Sequence, residues 1–315
     1  MTIDVYNPDE YFTVGLATVT GGSVVASSAE AKALSPVTLT INPDDGYVLS
    51  GIAVEYGIDN RIVPEITWYT SEVTFNMPAA NVSVVPTFTD DISDPYVKLK
   101  QYETKKVTVP AGINSFKVYD DGGADGNPYS DANESIELVA PEGRVIRVMG
   151  TTNSRGNLMF YDGENTSAPL IVDIDCGLGY NATTVVATST GRSMAFLFNT
   201  GSYCSYCSGF DLTVTLEDAS IAHAVSAPVL DGVTSVGAGD YTVGQEVTMT
   251  FTPEDDNLKY VGVNVQNEYD QPVAATTLTD ENGVTTVTFT MPYSGVTVSP
   301  IFSAIRSINI LSAPF

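Results

Sequence analysis

Six oxygen-bearing side chains fall within fifteen residues of one another: Asp120, Asp121, Asp125, Asn127, Asp131 and Glu134. Oxygen donors at that density suit a hard divalent cation. Ca²⁺ takes about 6–8 oxygens, and a glycine-rich loop lets carboxylates and carbonyls converge on it. The same letters also spell turns, because Asp121-Gly-Gly and Asp125-Gly-Asn are ordinary turn formers. EF-hand spacing is absent, so both readings stand. A second group could contact a ligand through rings. Trp68-Tyr69 in the N-terminal third and Tyr203 and Tyr206, around Cys204-Ser-Tyr-Cys207, offer aromatic surface to a glycan or a protein. Trp68 reads equally as a core or sheet-edge residue.

Catalytic sets are missing from the pattern. The single histidine, His223, falls between two strand-rich regions and reads as a surface linker residue. No nucleophile elbow, GxGxxG, P-loop or HExxH occurs. Among 38 acids no motif singles out a glycosidase pair. The CxxC lacks the βαβ setting of a redox motif, and a zinc ion held by Cys176, Cys204 and Cys207 would find only His223 as a fourth soft ligand. The expectation is a protein that is not an enzyme.

Charge narrows the partners. Thirty-eight acids against 13 Lys and Arg leave a formal net of −25. Phosphate backbones and anionic lipid are repelled by such a surface, which argues against nucleic acid and membrane headgroups. No apolar run is long enough to span a bilayer. The N-terminal ten residues are acidic and lack the apolar centre of a signal peptide. On this reading either a signal has been removed or the chain travels by another route.

What must position these residues is β-structure. Val and Thr recur throughout, 17 Tyr are present, and 26 Gly and 17 Pro punctuate the chain, whereas no helical periodicity is found. Val73-Thr-Phe-Asn-Met-Pro-Ala-Ala-Asn-Val-Ser-Val-Val-Pro-Thr-Phe88 aligns with Val287-Thr-Phe-Thr-Met-Pro-Tyr-Ser-Gly-Val-Thr-Val-Ser-Pro-Ile-Phe302, with nine of sixteen positions identical. Each predicts a hairpin of two alternating strands about a Met-Pro turn. Upstream, Val37-Thr-Leu-Thr-Ile-Asn-Pro43 matches Val247-Thr-Met-Thr-Phe-Thr-Pro253, each followed by acids. One supersecondary unit thus occurs twice, with the middle of the chain between the copies.

The repeated pattern resembles the divergent InlB B-repeat, or bacterial repeat, family, whose members imply small β spacer modules of bacterial surface proteins. The middle resembles a CUB domain. The residues that carry this likeness are Phe116-Lys-Val-Tyr-Asp-Asp-Gly-Gly, Ile136-Glu-Leu-Val-Ala-Pro-Glu-Gly143, Leu158-Met-Phe-Tyr-Asp-Gly163, Ala168-Pro-Leu170, Cys176-Gly177 and Ser208-Gly-Phe-Asp-Leu-Thr-Val214. The resemblance implies a jelly-roll-like sandwich with recognition loops. Where the family's calcium-binding acids stand, this chain has Thr151 and Thr152, Gly156 and Gly201, so the usual calcium site is not expected. Cys176 occupies a disulfide position of the family whose usual partner region, 152–156, holds no cysteine. The resemblance therefore implies a bridge from Cys176 to Cys204 or Cys207.

The expected organisation is all-β, with a CUB-like jelly-roll sandwich between two small repeat modules. Residues 1–92 form the first repeat, 97–218 the sandwich, 222–304 the second repeat and 305–315 a tail. The expected role is extracellular or cell-surface adhesion, with loops binding a glycan or surface protein and repeats as spacers. The alternative is a structural subunit of a surface appendage or phage particle, assembled with copies of itself or other subunits. No cofactor is required by the pattern, and Ca²⁺ is the one the acidic loop could take.

Overall fold

The computed structural model describes residues 7–123, 133–178, 182–199 and 209–304. All regular structure among them is strand, with no helix. None is therefore long and apolar enough to cross a membrane.

Three buried apolar clusters organise the strands. The first lies between a five-stranded sheet and a three-stranded one. The larger sheet runs in the order Glu30–Lys32, Tyr11–Leu16, Val82–Thr89, Val48–Tyr56, Asn60–Ile62, and the smaller in the order Gly22–Ala26, Pro36–Pro43, Glu72–Asn76. Period-2 alternation explains why. Val37, Leu39 and Ile41 point inward from Pro36–Pro43, and Val82 and Val84 answer from Val82–Thr89.

The C-terminal unit repeats this plan. One sheet runs Gly239–Thr242, Ala222–Ser226, Val296–Ala304, Leu258–Asn267, and its mate runs Val233–Val236, Glu246–Pro253, Thr285–Thr290, Ala275–Thr279. Even the parallel pair recurs, as Val14 beside Val82 in one unit and Val225 beside Val296 in the other.

The repeated segment is not a hairpin. Glu72–Asn76 and Val82–Thr89 lie in opposite sheets, as do Thr285–Thr290 and Val296–Ala304, so the Met-Pro step carries the chain across the core. The backbone of Met77 is already engaged on both sides. Its N–H donates to Ser35 O at 2.9 Å, and its carbonyl accepts the Leu34 N–H at 2.7 Å. Met291 does the same with Gln245 and Gly244. The proline that follows has no N–H to continue a ladder, and each Met side chain is fully buried between the sheets.

Two five-stranded sheets enclose the central core. One runs Thr104–Thr108, Asn133–Val139, Ser193–Asn199, Arg155–Tyr161, Leu170–Leu178. The other runs Thr183–Thr188, Arg144–Asn153, Gly209–Asp218, Ser115–Tyr119, Tyr96–Lys98. Phe160 and Phe196 pack 5.1 Å apart within it, and Phe198 meets Phe210 edge to face at 5.0 Å.

The boundary after the first unit is not a bare linker. Val48 belongs to the central core, and Trp68 and Tyr69 pack against it. A Cβ on Gly112 would overlap the Gly46 backbone, so the two units touch main chain to main chain. At the other boundary Arg147 Nη2 donates to the Tyr269 hydroxyl at 2.5 Å, and Gln271 Nε2 to Val186 O at 2.5 Å.

Candidate functional site

A cleft of about 550 Å³ opens along the first boundary. After Asn60–Ile62 the chain leaves its sheet. It turns at 67–70, where the Thr67 N–H donates to Thr70 Oγ1 at 2.8 Å and the Thr70 N–H to Thr67 O at 3.1 Å. That turn sets Trp68 and Tyr69 edge to face at 5.1 Å. The Trp68 indole N–H donates to Tyr96 O at 3.0 Å, and its ring leans on Phe116 at 5.0 Å. Trp68 is half-buried against a core, and it also lines the cleft.

The opposite wall comes from residues 89–98. Tyr96 is 59% exposed, with its ring 6.2 Å from that of Tyr119. Asp91 and Asp94 sit on the rim, and Lys98 supplies a cation. Asp94 holds a φ of 47° before Pro95, a left-handed conformation that costs a non-glycine residue roughly 1–2 kcal/mol. Burial pushes the Tyr69 phenol up, with a hydrogen bond to Thr67 opposing, so Tyr69 stays neutral at ordinary pH. Sequence reasoning found Trp68 and Tyr69 but missed Asp91, Asp94 and Tyr96. The Asp94-Pro-Tyr96 step was the available signal, and it reads as linker until the fold places it beside the indole.

The acidic stretch is drawn inward at one end of the central sandwich. Asp120 and Glu134 are wholly buried and Asp121 nearly so. The Phe210 N–H donates to Asp120 Oδ2 at 2.7 Å, and the Gly122 N–H to Oδ1 at 2.8 Å. Glu134 Oε1 accepts the Asp121 N–H at 3.1 Å, while Oε2 has no partner among the described residues. Burial pushes Asp120 up to about 7 against the pull of the Phe210 and Gly122 amides. Burial also lifts Glu134 to about 8, helped by the charges of Asp121 and Asp120.

Among the described residues no three acidic, histidine or cysteine side chains are arranged to hold a metal ion. Of the six oxygen-bearing residues, only Asp120, Asp121 and Glu134 are among those described. At Asp120 each carboxylate oxygen accepts one backbone amide. Asp125, Asn127 and Asp131 lie outside the described residues, as do Tyr203, Tyr206, Cys204 and Cys207.

Cys176 is a free, buried thiol. The bridge expected from it would run to Cys204 or Cys207, which lie outside the described residues, and the Thr152 hydroxyl approaches its Sγ at 3.5 Å. Burial pushes its pKa up, which keeps it a thiol. His223 is not a bare surface residue either. It is half-buried, with its ring 4.4 Å from that of Tyr293.

Against this geometry stand the comparisons with known proteins. Residues 12–92 match the family model of the divergent InlB B-repeat domain. Trp68 and Tyr69 fall within the matched residues. No curated protein matches the sequence. Among solved structures, the CUB1-EGF-CUB2 domains of rat MASP-1 are similar at 11% identity and a TM-score of 0.29, covering 61% of this chain and 96% of that one. Those of human MASP-1/3 give 11% and 0.28, covering 60% and 100%. The M60 catalytic domain with two CBM51 domains from Clostridium perfringens ZmpB gives 10% and 0.20, covering 94% of this chain and 31% of that one. The all-β architecture rests on the strands themselves, and beside it the repeat domain points to a recognition-type module of bacterial surfaces.

Proposed function

We propose that this chain is a non-catalytic adhesion or recognition protein of a bacterial surface or secretion, which binds a glycan or a surface protein in the cleft between its first repeat and its central sandwich. The observation that carries this reading is the cleft itself. Aromatic rings and carboxylates without a side-chain partner among the described residues converge at a boundary where two units meet main chain to main chain, and ligand sites favour such boundaries. The outer units act as spacers that hold the cleft clear of the surface. A net charge of −25 keeps nucleic acid and anionic lipid away.

The test presents the full chain with immobilised host and bacterial surface glycans and glycoproteins by biolayer interferometry, alongside glycosidase and peptidase substrate panels. Saturable binding to at least one surface with no turnover is expected. Turnover of any substrate, or binding to none of the surfaces, overturns the reading.

One feature favours assembly as a second role. Ala275–Thr279 is a sheet-edge strand exposed at every residue, and such an edge can pair with another chain. Light scattering that gives a monomer mass at high concentration would remove this role.

A further inference from the structure

The geometry points to a short, uncharged oligosaccharide as the ligand of the cleft, stacked on Trp68, Tyr69 and Tyr96 and hydrogen-bonded to Asp91 and Asp94. This inference rests on the recognition reading above and names the ligand class of the same site.

The rings are placed for it. Bonding the indole N–H to Tyr96 O fixes Trp68 in one orientation, so binding orders little that is not already ordered. Aromatic faces carry partial negative charge and favour the weakly positive C–H face of a pyranose. Tyr96, 59% exposed, extends that platform to the rim. A cleft of about 550 Å³ lies within the roughly 300–1,000 Å³ of small-ligand sites.

Polar groups complete the match. Neither Asp91 nor Asp94 has a side-chain partner among the described residues, and a carboxylate accepts two hydrogen bonds side by side. Neighbouring hydroxyls on a sugar ring supply two such donors. With two carboxylates against one lysine, Lys98, the cleft is net negative and disfavours uronic or sialic acids. An extended peptide fits less well. It would add to the free edge of Tyr96–Lys98, where the indole already occupies the Tyr96 carbonyl.

Trp68 is the only tryptophan, so its emission reports occupancy of this cleft alone. The full chain is titrated with short neutral oligosaccharides of glucose, galactose, mannose or N-acetylglucosamine. A saturable change is expected with at least one. Its Kd should rise about tenfold or more in Tyr96→Ala and in Asp94→Asn, since each removes a charged hydrogen bond or a stacking face. Unchanged circular dichroism and urea midpoints confirm that both variants are folded. The inference falls if no neutral sugar moves Trp68, if both variants bind as before, or if a peptide or acidic glycan competes for the site more tightly. Retained binding to the surfaces tested above with Trp68 unmoved sinks the cleft assignment alone. Binding to nothing sinks the recognition reading as well.

Discussion

The carboxylate of Asp120 accepts the Phe210 N–H at 2.7 Å across ninety residues of sequence, tying the end of Ser115–Tyr119 to the start of Gly209–Asp218. Gly209 makes the approach possible. Its φ is +73°, and a Cβ there would overlap the Asp120 carboxylate. Gly209→Ala should therefore destabilise through both backbone strain and collision, by roughly 1–3 kcal/mol or more. Asp120→Ala leaves the buried Phe210 amide and the partly buried Gly122 amide without an acceptor, the first costing ~1–3 kcal/mol and the second less. Urea denaturation followed by far-ultraviolet circular dichroism checks both, and wild-type midpoints would refute them.

Stability should fall as the solution becomes alkaline. Asp120 at about 7 and Glu134 at about 8 lie above ordinary carboxyl values. The folded state thus holds protons that the unfolded chain releases. Their contribution is fully present below about pH 4 and is lost as pH rises through 7 and 8. Urea midpoints from pH 5.5 to 9 should decline, and Glu134→Gln should flatten that decline. A rising or flat wild-type profile contradicts the assignment.

The two Met-Pro crossings should behave alike and independently. Met77 and Met291 are fully buried in separate cores. Replacement of either by Ala removes a large buried side chain and should cost about 2–5 kcal/mol. Because the sites share no partners, the double variant should show the sum. Thermal unfolding by calorimetry measures it, and an interaction well above ~0.5 kcal/mol would show that the outer units are coupled through the middle.

Cys176 should resist alkylation in the folded protein. It is 2% exposed, and burial holds it as the thiol, which is the unreactive form. Iodoacetamide labelling read by peptide mass spectrometry should mark it only after denaturant is added. Rapid labelling of the native chain would place the side chain at the surface instead.

The all-β class was legible in the letters because alternation is local. Val37, Leu39 and Ile41, or Val82 and Val84, declare one buried face whatever they pair with. The duplication was legible for the same reason, and the repeat-family match at 12–92 agrees with its first copy. Pairing partners were not. Local pattern at 73–88 could not distinguish a hairpin from a crossing, since both bury alternate residues, and only the hydrogen bonds of Met77 to Leu34 and Ser35 decided it. Likewise Asp120, Asp121 and Glu134 read as either cation ligands or turn residues, and local pattern gave no sign that the fold buries all three, with Asp120 and Glu134 accepting backbone amides. The cleft owes most to tertiary structure, because Trp68 and Tyr96 lie twenty-eight residues apart and are joined by an indole hydrogen bond that no local pattern predicts. Sequence fixes which side chains prefer water and how often they alternate. Which distant groups share a cavity depends on how two sheets and two units come to rest against each other, and no local period encodes that.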